Sequence, residues 1–166
     1  MMEFRRAQKS DLDRIVAIYN QAVPSHIVTD DDEPISFDSR RQWMDDFDDT
    51  HPCWVVEEDG QIIGWCGLEY FYPHPAFDKS AEISIYIDEN HQQQGVGSAL
   101  LDHVNVNITN DLPIKTVISY IYERNIASQR LFQRSGYDKV GELPQISVVG
   151  GELRTIYVYC RHFNLH

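Results

Sequence analysis

At 166 residues the chain has room for one domain with a sizeable core and little room for two. Its 42% hydrophobic and 24% charged residues are ordinary for a globular protein, and a net charge of −12 excludes the broad basic face that a nucleic-acid reader needs. No apolar run resembles a signal peptide or is long enough to span a membrane, and Cys53, Cys66 and Cys160 read as reduced core thiols, so a soluble cytoplasmic protein is expected.

Glu3 to Gln8 is a short candidate strand. Ser10 and Asp11 supply a cap and an acidic first turn, and Leu12, Ile15, Ile18, Tyr19 and Ala22 repeat at helical spacing, which predicts an amphipathic helix over 11–22 that stops before Pro24. The acidic run Asp30 to Glu33 reads as a solvated loop, and Ser36 caps a second predicted helix over about 37–48. The pattern then turns to strands. Cys53 to Glu57 and Gln61 to Tyr70 flank Glu58-Asp59-Gly60, a hairpin signal, and the aromatic, proline-rich stretch Phe71 to Phe77 reads as an irregular loop. Trp43, Trp54 and Trp65 read as packing residues.

Ala81, Ile83, Ile85 and Ile87 alternate with Glu82, Ser84 and Tyr86, which predicts a strand with one apolar and one polar face. A helix from about Gly95 carries Val96, Leu100 and Val104 on one face, and Lys115 to Ile121 is strand-like. Asn125 caps a helix of about 126–134 that ends at Gly136, and Tyr137 to Leu143 and Leu153 to Cys160 form a last strand pair around Gly150-Gly151. The order predicts one α+β domain over 1–166, a mixed, mostly antiparallel central sheet flanked by helices, with the strand–helix–strand of about 82–121 as its parallel crossover.

The glycines of Gln92-Gln93-Gln94-Gly95-Val96-Gly97-Ser98 fall between a strand and a helix start, where unpaired N–H groups and the helix dipole favour an anion. No Lys follows them as a P-loop requires, and the third glycine of a dinucleotide fingerprint is missing. The pattern Gln/Arg-x-x-Gly-x-Gly/Ala does fit. With Asn125-x-x-Ser128, Leu131-Phe132 and Gly136-Tyr137 it resembles the GCN5-related N-acetyltransferase superfamily. Arg6-Ala7, Ile18 to Val23, Glu33-Pro34, Arg40 to Trp43 and Ala81 to Ile87 are similar to its phosphinothricin acetyltransferase branch, over about residues 5–160.

The resemblance implies the acyl-CoA N-acyltransferase fold and acetyl transfer from acetyl-CoA, as cosubstrate, to a primary amine of a small molecule. It implies that the backbone of Ile85, Tyr86 and Ile87 runs beside the pantetheine arm. Gln93, Gln94, Gly95, Val96, Gly97 and Ser98 would wrap the pyrophosphate, and Asn125 and Ser128 would reach the cofactor from the next helix. Glu82 matches the branch's general base, and a main-chain N–H at or near Ile85 would polarise the thioester carbonyl. A homodimer is also implied.

Two departures stand out. Phe132 occupies the position of a Tyr or His acid and cannot donate a proton, so Tyr120, Tyr122 and Tyr137 are alternatives. Where the branch carries Phe-Arg-x-Arg-x-Ala-Tyr, this chain has Phe71-Tyr72-Pro73-His74-Pro75-Ala76-Phe77, without arginines to meet a carboxylate. Tyr72 and His74 are therefore expected at the acceptor, phosphinothricin is not expected to be the physiological substrate, and a cationic amine such as a polyamine, an aminated antibiotic or a peptide N-terminus is at least as plausible an acceptor. The alternative function is a catalytically idle acetyl-CoA sensor or complex subunit. His162 and His166 have i,i+4 spacing but no third ligand, so no metal site is expected.

Overall fold

The computed structural model describes residues 1–163; His166 lies outside them. Strands β1 (Met2–Arg6), β2 (Cys53–Glu58), β3 (Gln61–Tyr70), β4 (Ser80–Ile87), β5 (Thr116–Tyr122), β6 (Asp138–Val149) and β7 (Glu152–His162) form one seven-stranded sheet in the order β1-β2-β3-β4-β5-β7-β6. Only β4 and β5 run parallel, joined by α3 (Val96–Asp111), while the other pairs are antiparallel. The expected crossover is therefore present, as is the α+β architecture.

Alternation along the strands builds two cores. On one face Leu68, Ala81, Ile83 and Val117 pack beneath Leu100 and Val104 of α3, together with Phe132 of α4 (Ile126–Arg134). On the other, Val55 and Trp65 meet Ile15 and Ile18 of α1 (Leu12–Ala22). At the β2–β3 turn Asp59 and Gly60 both take positive φ, 53° and 77°, the twist that closes a two-residue hairpin.

Two expectations change. The helix of about 37–48 is a 3₁₀ turn, Asp38–Arg40, and one α-helical turn, α2 (Arg41–Asp45). Ser36 Oγ accepts from the Ser39 N–H and so caps the 3₁₀ turn. Asp48 Oδ1 accepts from the Thr50 and His51 N–H groups, so the chain folds back on itself and ends the helix. Strand β6 runs beyond Leu143 to Val149, because the register shift between Leu143 and Ser147 absorbs Pro144 and lets pairing with β7 resume. Among the described residues no helix is long and apolar enough to cross a membrane. Cys53, Cys66 and Cys160 are free thiols, the first two buried.

Candidate active site

Pairing between β4 and β5 stops after Ser80↔Thr116, Ala81↔Val117 and Glu82↔Ile118. The main-chain directions on β4 follow from two bonds. The Asp88 N–H donates to the Ile63 carbonyl of β3 at 2.8 Å, and the Lys115 N–H donates to the Lys79 carbonyl on the β5 side, also at 2.8 Å. Antiparallel partners alternate along a strand, so Glu82, Ser84 and Tyr86 turn their backbone groups to β3, and Ile83, Ile85 and Ile87 turn theirs toward the gap that opens beside β5. Their side chains follow the opposite rule of the pleat. Ala81 and Ile83 are buried against α3, while Glu82, Ser84 and Tyr86 line a cavity on the α1 face.

The β4–α3 connection is held by buried Asp88. Its carboxylate accepts from Gln21 at 2.8 Å, Arg14 at 3.1 Å and His91 at 2.7 Å, and Gln21 in turn accepts from the Glu89 N–H. Burial alone would raise its pKa, but the bonds from Gln21, His91 and Arg14 outweigh burial and hold it below the ordinary value. Beyond it the loop turns through positive φ at Gln93 (61°) and Gly95 (81°), and a Cβ built on Gly95 meets open space. Gly95 starts α3 without any side-chain cap, so the first N–H groups of a 16-residue helix face outward. Val96 is buried and fixes that helix end to the core. An uncapped helix end behind a glycine turn suits an anion such as a pyrophosphate, with Gln93, Gln94, Gly97 and Ser98 around it. Asn125 caps α4 by accepting from the Ser128 N–H at 3.2 Å.

The cavity on the α1 face has a volume of about 290 Å³. Its walls are aromatic, with Tyr19, Trp43, Trp65, Tyr86, Tyr120 and Tyr122, and they also carry Asp30, Glu69, Glu82 and Arg40. Burial pushes Glu82 up to about 7, and Glu69 and Asp30 add to the rise. Burial likewise raises Glu69, against the bond it accepts from Trp43 Nε1 at 2.7 Å. Trp65 Nε1 is buried without a hydrogen-bond partner, so a donor in the cavity wall is unused.

The acidic loop is not simply solvated. Asp30 accepts from the Tyr122 hydroxyl, Asp31 from that of Tyr19, and Asp32 from the Gly150 N–H at 2.6 Å, so the run is tied to β5, α1 and the β6–β7 turn. Asp30, Trp43 and Glu69 are cavity residues that the one-dimensional pattern does not single out. The only signal was the density of aromatic and acidic residues near 30, 43 and 69. Tyr72 and His74 line an adjoining open cleft of about 520 Å³ that shares Trp43 and Glu69 with the first cavity, and His74 Nδ1 accepts from the Ala76 N–H. Of the three alternative tyrosines, Tyr137 is buried against Phe132, Tyr122 is bound to Asp30, and Tyr120 lines the cavity. Among the described residues no group of three or more His, Cys, Asp and Glu side chains could hold a metal.

Residues 2–138 match the family model for an acetyltransferase (GNAT) domain. YwnH of Bacillus subtilis (strain 168), a candidate phosphinothricin acetyltransferase, is 38% identical over 152 residues, which cover 91% of this chain and 93% of YwnH. A crystal structure of a candidate phosphinothricin N-acetyltransferase superposes with a TM-score of 0.93 at 34% identity, covering 98% of both chains. The candidate acetyltransferase yncA of Salmonella typhimurium, solved with its cofactor acetyl-CoA, superposes with a TM-score of 0.90 at 26% identity, covering 99% of this chain and 95% of that one.

Asp88→Asn keeps the side chain's size and removes its charge, so it tests the loop anchor. The folded state lowers this pKa, so the ionised group stabilises the protein above the unfolded carboxylate value of about 3.9, and that stability is lost as pH falls through the lowered folded value. The variant is expected to lose about 1–3 kcal/mol in urea unfolding at neutral pH, with the deficit vanishing in acid. Equal stability at neutral pH would show that the anchor carries no load.

Proposed function

The chain belongs to the acetyltransferase (GNAT) family and is an N-acetyltransferase that uses acetyl-CoA, and we propose that its acceptor is a small primary amine deprotonated by Glu82. The observation that carries this reading is a half-buried carboxylate, pushed up to about 7, facing an aromatic cavity where β4 and β5 part. A carboxylate of ordinary acidity is a poor base near neutral pH, whereas one near 7 is matched to the task.

Acetyl-CoA supplies an acetyl thioester. Gly95, Val96, Gly97 and Ser98, with Gln93 and Gln94, would hold its pyrophosphate, the open backbone edge of Ile85 to Ile87 would run along its pantetheine arm, and Asn125 and Ser128 would border it from α4. Glu82 removes one proton from the acceptor ammonium. The Ile85 N–H, turned into the gap, donates to the carbonyl oxygen as negative charge builds there. The nitrogen–carbon bond forms, the carbon–sulfur bond breaks, and the second proton lost by nitrogen is returned to sulfur through Tyr120. We assign Tyr120 this part because it lines the cavity beside Glu82, its hydroxyl has no partner among the described residues, and burial and Glu82 keep its pKa raised, so it stays protonated. A phenol there compensates for Phe132. No observation favours the idle-sensor alternative.

The same reading extends to assembly and location. Val140, Ile146 and Val148 on the edge strand β6, and Leu153 beside it, are more than half exposed, which fits a homodimer built on that edge. The free thiols suit the cytoplasm, and we take residues 1–166 as one catalytic domain.

Glu82→Gln is expected to lower kcat by about 10²–10⁴ and to abolish the rise of kcat/KM through about pH 7, followed as thiol release from acetyl-CoA. Tyr120→Phe is expected to cost less and to leave that rise in place. A Glu82→Gln enzyme with the wild-type profile would remove Glu82 from the mechanism. Light scattering is expected to give twice the chain mass, and a monomer at assay concentration would rule out the dimer.

A further inference from the structure

We propose that the acceptor is a linear aliphatic diamine or polyamine whose reacting end lies between Glu82 and Glu69 in the inner cavity and whose far end reaches Asp46 and Asp78 in the adjoining cleft; this rests on the N-acetyltransferase reading. Glu69 and Glu82 are direct cross-strand partners on the same face of β3 and β4. Like charges placed opposite each other destabilise a sheet, and burial worsens the conflict. An ammonium between the two carboxylates relieves it, and such a cation is the protonated form of the group to be acetylated.

A second cleft adjoins that pair. Glu69 is held by Trp43 Nε1 at 2.7 Å, and the two side chains form the wall shared by the inner cavity and the outer cleft. The outer cleft adds Asp46 and Asp78 beside Tyr70 and Tyr72. Carboxylates interleaved with aromatic faces suit ammonium groups spaced by methylenes: the rings attract the cations and cover the chain between them. Little here would meet a substrate carboxylate. Arg40 is the one Arg or Lys side chain lining either space, and it already lies 3.6 Å from Asp31 and over the rings of Tyr19 (5.4 Å) and Trp43 (5.9 Å). The segment Phe71 to Phe77, which rims the outer cleft, holds no arginine.

The transfer is unchanged in its balance: the terminal nitrogen gives one proton to Glu82 and a second to sulfur, and the distal ammonium stays charged. The test is CoA release with a series of linear α,ω-diamines, alkyl monoamines of matched length, methionine sulfone and phosphinothricin. The best diamine is expected to exceed its matched monoamine in kcat/KM by about tenfold or more, the factor that about 1.4 kcal/mol of cation binding supplies. Glu69→Gln is expected to shrink that ratio, as is the double variant Asp46→Asn with Asp78→Asn, whose exposed sites leave folding intact, and in both the loss falls mainly on KM for the diamine. Highest turnover on methionine sulfone or phosphinothricin, or equal values for diamine and monoamine, would overturn the inference and leave the N-acetyltransferase reading standing. Acetyl-CoA binding with no CoA release on any amine would overturn both.

Discussion

Past Glu82 and Ile118 two neighbouring parallel strands separate inside a sheet, and the opened edge exposes main-chain donors and acceptors that between the other strands are paired. The outer elements hold that edge open. Leu68, Ala81 and Ile83 clamp β4 to α3 on one face, and β3 pairs with it along its whole length on the other side. The strand therefore stays extended without its second partner. Its free groups, those of Ile85 and Ile87, then point where an extended ligand arm can complete the ladder. Asp88 and the uncapped start of α3 lie at the end of the same strand, so one line of residues sets the backbone edge, the turn and the uncapped helix end.

Acceptor chemistry is set on the opposite face of β4 by a conflict that folding alone would not favour. Two carboxylates face each other across β3 and β4, with Asp30 nearby and a single guanidinium already engaged. Such an arrangement costs stability in the free protein and becomes favourable only when a cation enters. The rise of Glu82 toward neutrality comes first from burial, with Glu69 and Asp30 adding to it, and a carboxylate so raised is suited to serve as a base.

Much of the cofactor side was legible from the chain because its signals are local. The alternation of Glu82 to Ile87, the glycines at 95 and 97 and the Asn125 cap are each written within a few residues, and each emerges in place. The acceptor side was less so. The opposition of Glu69 and Glu82 depends on strand register, and the ties of Asp30 to Tyr122 and Asp31 to Tyr19 join residues whose neighbours in sequence say nothing of the contact. The acidic run is largely exposed, as its charge implied, but three of its carboxylates also tie it to other elements, and Trp43, which packs as expected, also lines the cavity. Tyr72 and His74 were expected at the acceptor by their place in a motif, and they line the outer cleft, which shares Trp43 and Glu69 with the cavity of Glu82.

The central claim is that the opened edge of β4 and the start of α3 together receive acetyl-CoA. Amide chemical shifts followed while acetyl-CoA is titrated into the protein test it most directly. The largest shifts are expected at Ile85, Ile87 and Val96 to Ser98, with β1 and β2 quiet; shifts confined to other elements, with those amides unmoved at saturation, would contradict binding along this edge.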